Sequence, residues 1–177
     1  PRMAKVRQSF DRTCIPAERV RETVLAELGR DAIASRVKPG MTVAVTCGSR
    51  GIHHVAVMAK AIVDFLKEKG AKPFITAAMG SHGGATAEGQ LQILTDYGIT
   101  EAAMGCPVKS SMEVVEIART PAGLPVMMDK NAAEADGVLL FNRIKPHTSF
   151  RGVYESGLMK MMAIGLGKQA GAEAIHG

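Results

Sequence analysis

Three polar clusters in the chain carry residues that could do chemistry, and each follows an apolar run. The first is Ser49-Arg50, the second Ser81-His82, and the third Asn142-Arg-Ile-Lys-Pro-His147 with Lys145 and Ser149. His82 and His147 are the acid–base candidates, because imidazole titrates near neutral pH. His82 lies within Gly80-Ser-His-Gly-Gly84, where glycine permits left-handed backbone and close approach to a ligand. His147 follows Pro146, which stiffens the backbone that presents it. Arg50, within Gly48-Ser-Arg-Gly51, suits a carboxylate or phosphate, since its planar fork binds either with two hydrogen bonds. Each also has a plainer reading: a loop histidine held by a backbone carbonyl, or a turn arginine paired on the surface. His53 and His54 read as surface residues at a helix start, and His176, taken alone, as part of a disordered tail.

The elements that must position these clusters follow from the hydrophobic pattern. Met41–Thr46, Pro73–Met79 and Gly137–Phe141 are short apolar, β-branched runs, the signature of buried parallel strands. Between the first two, Val55, Met58, Ala59, Ile62, Phe65 and Leu66 fall on one helical face that Gly70 ends. A second helix is predicted from Thr86 to Tyr97, with Leu91, Ile93 and Leu94 inward, and another over Pro16–Leu28. Asn131–Ala135 reads as one helical turn, and Met3–Phe10 as an edge strand. Met112–Ala118 and Leu124–Met128, joined by Thr120-Pro-Ala-Gly123, read as a hairpin. The long loop Asn142–Glu155 leads to an apolar segment near Ser156–Ile164, and no closing element is predicted after Gly167. The expected fold class is α/β: a mostly parallel open sheet with flanking helices and an antiparallel hairpin at its edge. Ligands bind beyond the carboxyl ends of such strands, and parallel strands put all three polar clusters on that one edge.

Composition limits the partners. The chain has 177 residues, 46% of them apolar and 22% charged, which fits a folded domain with a real core. No run reaches the ~18 apolar residues of a membrane span. Cys14, Cys47 and Cys106 form no CxxC pair, so a cytoplasmic, reducing location is expected. The net charge is +5, with no Trp, 2 Tyr and 5 Phe. Without a basic stripe and stacking aromatics, nucleic acid is not an expected partner; an anionic small molecule is. Gly165-Leu-Gly-Lys-Gln-Ala-Gly171 matches neither a dinucleotide fingerprint nor a P-loop, because its third glycine is one place late and no Ser or Thr follows the Lys. Met159, Met161 and Met162 read as core filler rather than a metal site.

Five pieces in order carry a family resemblance: Cys47-Gly-Ser-Arg50, Gly80-Ser-His82, Asn142-Arg-Ile-Lys-Pro-His147, Ser156-Gly-Leu-Met-Lys160 and His176. From about Val43 to Gly177 the chain resembles the N-terminal domain of the nickel-pincer lactate racemase family. The resemblance implies a racemase or epimerase of a 2-hydroxy acid. It implies a pyridinium bisthiocarboxylic acid mononucleotide attached through Lys160, with nickel bound by His176. His82 and His147 would be the acid–base pair, and Arg50, beside Ser49, would hold the substrate carboxylate or the cofactor phosphate. Soft sulfur plus imidazole suits square-planar nickel(II). The resemblance also implies that residues 1–177 are the cofactor-binding domain of a longer two-domain enzyme, with little turnover alone. It implies cofactor-biosynthesis proteins as partners, with no membrane role. Cys47, Gly51 and Gly83 stand where many members have Asp, Pro and Arg. These departures surround the substrate, and a larger or sugar-derived 2-hydroxy acid is expected as readily as lactate. The alternative from another class is a non-catalytic module binding a nucleotide or other phosphate-bearing anion at the same strand ends.

Overall fold

The first two apolar runs pair side by side because each is buried on both faces, and the third, partly buried throughout, adds to them. A computed structural model describes residues 3–11, 13–147, 149 and 151–176, with the backbone alone at His176. Strand β1 (Thr42–Cys47) pairs in parallel with β2 (Lys72–Ala77) on one side and with a later strand on the other. Beyond β2 lies the two-residue β3 (Val108–Lys109), at the sheet edge. Side chains alternate across the sheet, as the pleat requires. Val43, Val45, Cys47, Ile75 and Ala77 face the larger core, and Ala44, Phe74 and Ala78 face the smaller one.

Helices cover the larger face. Helix α1 (Val20–Leu28) follows a 3-10 turn at Ala17–Arg19, and the four-residue α2 (Asp31–Ala34) comes after it. The long α3 (Val55–Glu68) buries Ala59, Ile62, Val63, Phe65 and Leu66 against the sheet, each large side chain contributing roughly 1.5–3 kcal/mol. Helix α4 (Ala87–Asp96) adds Leu94, and the short α5 (Glu101–Met104) adds Met104. Within α4, Leu94 is buried and Ile93 partly so, while Leu91 is 41% exposed, so the expected inward stripe is narrower than Leu91, Ile93 and Leu94.

Strands β4 (Val114–Arg119) and β5 (Pro125–Asp129) form the expected hairpin, with an irregularity between Glu116 and Ala118. It is a separate two-stranded sheet, not an edge of the parallel one. The end of β5 is tied elsewhere: Asp129 N–H donates to Leu166 O at 2.7 Å, and the Asp129 carboxylate caps α6 (Lys130–Ala133) by accepting from Ala132 N–H at 2.9 Å. The chain then returns as β6 (Gly137–Leu139), pairing with the free side of β1. The sheet order is therefore β3-β2-β1-β6, with its switch between β1 and β6, where an open α/β sheet forms its ligand crevice.

Two expectations fail at the ends of the chain. Met3–Phe10 forms no strand; Met3, Val6 and Phe10 are exposed, so their alternation serves no buried face. At the other end, the apolar segment becomes α7 (Gly157–Lys160) and a π-helical turn, Met161–Gly165, and the tail closes as α8 (Lys168–His176). Its first residue, Lys168, with 0% of its surface exposed, pairs with the equally buried Asp129. Of the three methionines expected in the core, Met161 is buried, while Met159 and Met162 are more than 40% exposed. No helix is long and apolar enough to cross a membrane among the described residues.

Candidate functional site

Each loop at the carboxyl edge of the sheet is held by its own polar contacts. After β1, the Ser49 carbonyl accepts from Tyr97 Oη at 2.7 Å. The loop ends at His54, which sits in left-handed backbone at the start of α3. After β2, Gly80 N–H donates to Gly165 O at 3.2 Å, and His82 N–H to Met79 O at 3.2 Å. Gly80, Gly83 and Gly84 all take positive φ, the conformation that glycine adopts without strain. The loop presses close to α4: a Cβ added at Gly89 would run into the Gly83 carbonyl.

The third loop, beyond β6, is cross-braced. Asn142 Nδ2 donates to Gly157 O at 2.7 Å and its Oδ1 accepts from Arg143 N–H at 2.8 Å. The Glu155 carboxylate accepts from the His147 and Gly152 N–H groups at 3.0 and 3.1 Å, while Arg151 Nη1 donates to His147 O at 2.7 Å. Ser149 N–H donates to His147 Nδ1 at 3.1 Å, so the neutral His147 ring carries its proton on Nε2.

These loops enclose a cleft of about 430 Å³. Ser49, Arg50, His82, His147 and Lys160 line it together, and so do Arg143 and Lys145. Among the described residues, the lining holds four cations and no carboxylate. Ser49 Oγ hydrogen-bonds His82 Nδ1. Partial burial, Arg50 and Lys160 hold the His82 pKa below the usual imidazole value. Burial also lowers that of His147, with Lys160, Lys145 and Arg151 adding to it and Glu155 opposing. Both rings are therefore neutral at pH 7; His82 can accept a proton at Nε2 when its Nδ1–H donates to Ser49 Oγ, whereas His147, its Nδ1 held by Ser149 N–H, presents Nε2–H as a donor.

Of the other predicted residues, Ser81 does not line the cleft; its carbonyl accepts from Ala85 N–H at 3.1 Å. His53 and His54 lie at the helix start, as expected, with their rings in a T-shaped, edge-to-face contact. His176 belongs to α8, and its side chain lies outside the described residues. Its neighbour Ile175 lines a second, more apolar groove of about 380 Å³ that also includes Tyr154, Met159 and Lys160. Lys160 thus stands where the two hollows meet. Among the described residues, no group of three or more His, Cys, Asp and Glu could hold a metal ion.

Four supporting residues escaped the sequence reading: Tyr97, Glu155, Gln90 and Lys168. The first two lie in a helix end and a loop where their types are ordinary. Gln90 is fully buried on α4, and Lys168 lies beneath the cleft, its ammonium donating to Ala77 O and pairing with Asp129 at 3.2 Å. Burial pushes the Lys168 pKa down while Asp129 pulls it up. That side chain is committed inward, so the glycine-rich segment around it is not a phosphate loop.

The sequence profile of one family, described as the lactate racemase N-terminal domain, matches residues 4–177. A search of curated proteins gave no match.

Proposed function

The chain belongs to the lactate racemase N-terminal domain family, and from that premise we propose that it is the cofactor-binding domain of a longer enzyme that racemises or epimerises a 2-hydroxy acid. The observation that carries this reading is the convergence of Arg50, His82, His147 and Lys160, from four separate segments, on one cleft with four cations and no carboxylate.

That cleft fits the nickel-pincer nucleotide in two respects. Its positive lining suits a phosphate-bearing anion, and Lys160 offers an amine at its wall for covalent attachment. His176 would supply the protein ligand to nickel. When bound, the group supplies reversible hydride acceptance, the hard step that a cofactor carries for its protein.

The protein's own residues do the rest. Arg50 holds the substrate carboxylate or the cofactor phosphate in two parallel hydrogen bonds. His82, neutral at pH 7, takes the hydroxyl proton of the 2-hydroxy acid at Nε2. His147 would present its Nε2–H to the carbonyl oxygen when the planar keto acid turns its opposite face to the cofactor, so that a product of either hand can form. Ser49 fixes the His82 ring through Nδ1 and leaves Nε2 as its reacting atom.

The test is an intact-mass spectrum with nickel analysis of the protein made in a host that synthesises the pincer cofactor. We expect a cofactor-sized adduct on Lys160, about one nickel per chain, and loss of metal in His176→Ala. An unmodified, metal-free chain from a host that loads a control racemase overturns the reading. It leaves the anion-binding module, which would keep its affinity in Lys160→Ala.

A further inference from the structure

Beneath the His82 loop lies a polar network that the proposed chemistry does not use. Gln90, with no exposed surface, donates from Nε2 to Gly80 O at 2.8 Å and to His82 O at 3.1 Å. Its Oε1 accepts from Lys168 Nζ at 3.4 Å. The Lys168 ammonium also donates to Ala77 O, the last carbonyl of β2, and pairs with Asp129 Oδ2. Asp129 Oδ1 takes Ala132 N–H and, at 3.4 Å, the Thr76 hydroxyl. Lys168 itself sits in left-handed backbone, with φ at 55°, which a non-glycine residue rarely adopts without something holding it there.

The chemistry of the groups gives this network a direction. An ammonium can only donate, so the oxygen of the Gln90 amide must face Lys168. The amide nitrogen must then face the two loop carbonyls. Reversing the amide would set NH₂ against NH₃⁺ and a carbonyl against two carbonyls. Lys168 therefore selects one of the two Gln90 orientations, and that orientation selects the path of residues 80–82. Since Lys168 also begins α8, the same ammonium ties the helix that ends in His176 to the loop that presents His82.

We propose that Lys168, acting through Gln90, is a positioning residue for His82, and that it registers the His82 loop against helix α8. The inference deepens the racemase reading, in which His82 reacts, and rests on that reading for its catalytic consequence alone. The side chains facing His82 are Ser49, Arg50 and Lys160, none of which the variants below alter.

The test compares Gln90→Met, which removes both donors and leaves the ion pair, with the double variant Lys168→Met/Asp129→Asn, which removes the pair without stranding a buried charge. Folding is checked by thermal unfolding, and the His82 imidazole is titrated by NMR, its resonance assigned with His82→Gln. In both variants the His82 titration midpoint is expected to move up, as the ring leaves its place beside Arg50 and Lys160. In cofactor-loaded protein kcat is expected to fall at least tenfold with KM within twofold. Folded variants with an unmoved His82 titration overturn the proposal. Should neither variant fold, the intact protein decides: the Gln90 side-chain amide protons are expected to exchange slowly, and exchange at the free-amide rate overturns the proposal. The NMR readout needs no turnover. An inactive protein whose His82 titration shifts fails the racemase reading and keeps the positioning; an active one whose titration stays put does the reverse.

Discussion

Arg50 lines a cleft in which, among the described residues, no carboxylate is available to neutralise it, so an incoming anion is its expected partner. Arg50→Lys keeps the charge and loses the two-bond fork. We expect the substrate KM to rise about tenfold, roughly the 1.4 kcal/mol of one lost charge-assisted hydrogen bond, as steady-state kinetics would show. For the histidines, His82→Ala and His147→Ala should each lower kcat by about 10²–10⁴-fold while the Lys160 adduct remains on the mass spectrum. Both imidazoles have a folded pKa below the unfolded value of about 6.5. Between those two values the unfolded chain binds more protons, so stability is full above pH ~6.5 and declines as pH falls below it. Chemical denaturation across pH 5–8 should show this decline, and His82→Gln should flatten it. The cysteines are expected to separate by reactivity. Burial, with Cys106 nearby, pushes the Cys47 thiol up to about 12, and burial raises Cys106 as well, whereas Cys14 is exposed. Thiol labelling of the native protein should therefore modify Cys14 alone at an early time.

Among the elements, α3 and the parallel strands were legible because apolar spacing and burial are the same fact seen twice. Ile62 and Leu66 fall at helical spacing, and both end against the sheet. Leu66→Ala is expected to cost about 2–5 kcal/mol in denaturant unfolding. The hairpin was legible as a hairpin, but its place was not. Alternating residues specify two paired strands, while the buried Asp129, through its carboxylate cap on α6 and its backbone N–H to Leu166 O, decides what the pair packs on. The contact between the His82 loop and α4 yields a prediction of its own. Gly89→Ala would drive a Cβ into the Gly83 carbonyl, and should lower stability by about 1–3 kcal/mol and reduce activity by displacing His82. A denaturation midpoint read beside an activity assay checks both.

For the molecule as a whole, the sheet order β3-β2-β1-β6 brings the three loops to one edge. The result is a positive, solvent-open cleft in a chain of net charge +5. Anion binding there should weaken as ionic strength rises, because exposed charges are screened within about 8–10 Å at 0.1–0.15 M salt; calorimetry across a salt series measures it. From the sequence alone came the strand–helix alternation, the three polar clusters, and the inference that parallel strands present them together. Those follow from periodicity and from the identity of titratable side chains, which are local properties. The convergence of Lys160 with the loop residues was foreseen only through family resemblance, since no local pattern marks a lysine on a short helix. Helix α8, the buried Lys168–Asp129 pair and the Gln90 bridge were decided by tertiary structure. A charged residue in a glycine-rich tail reads as solvated until its partner, 39 positions earlier in the chain, is known to be buried beside it. Pairing across such a distance depends on the packed arrangement of several elements, which no window of sequence contains.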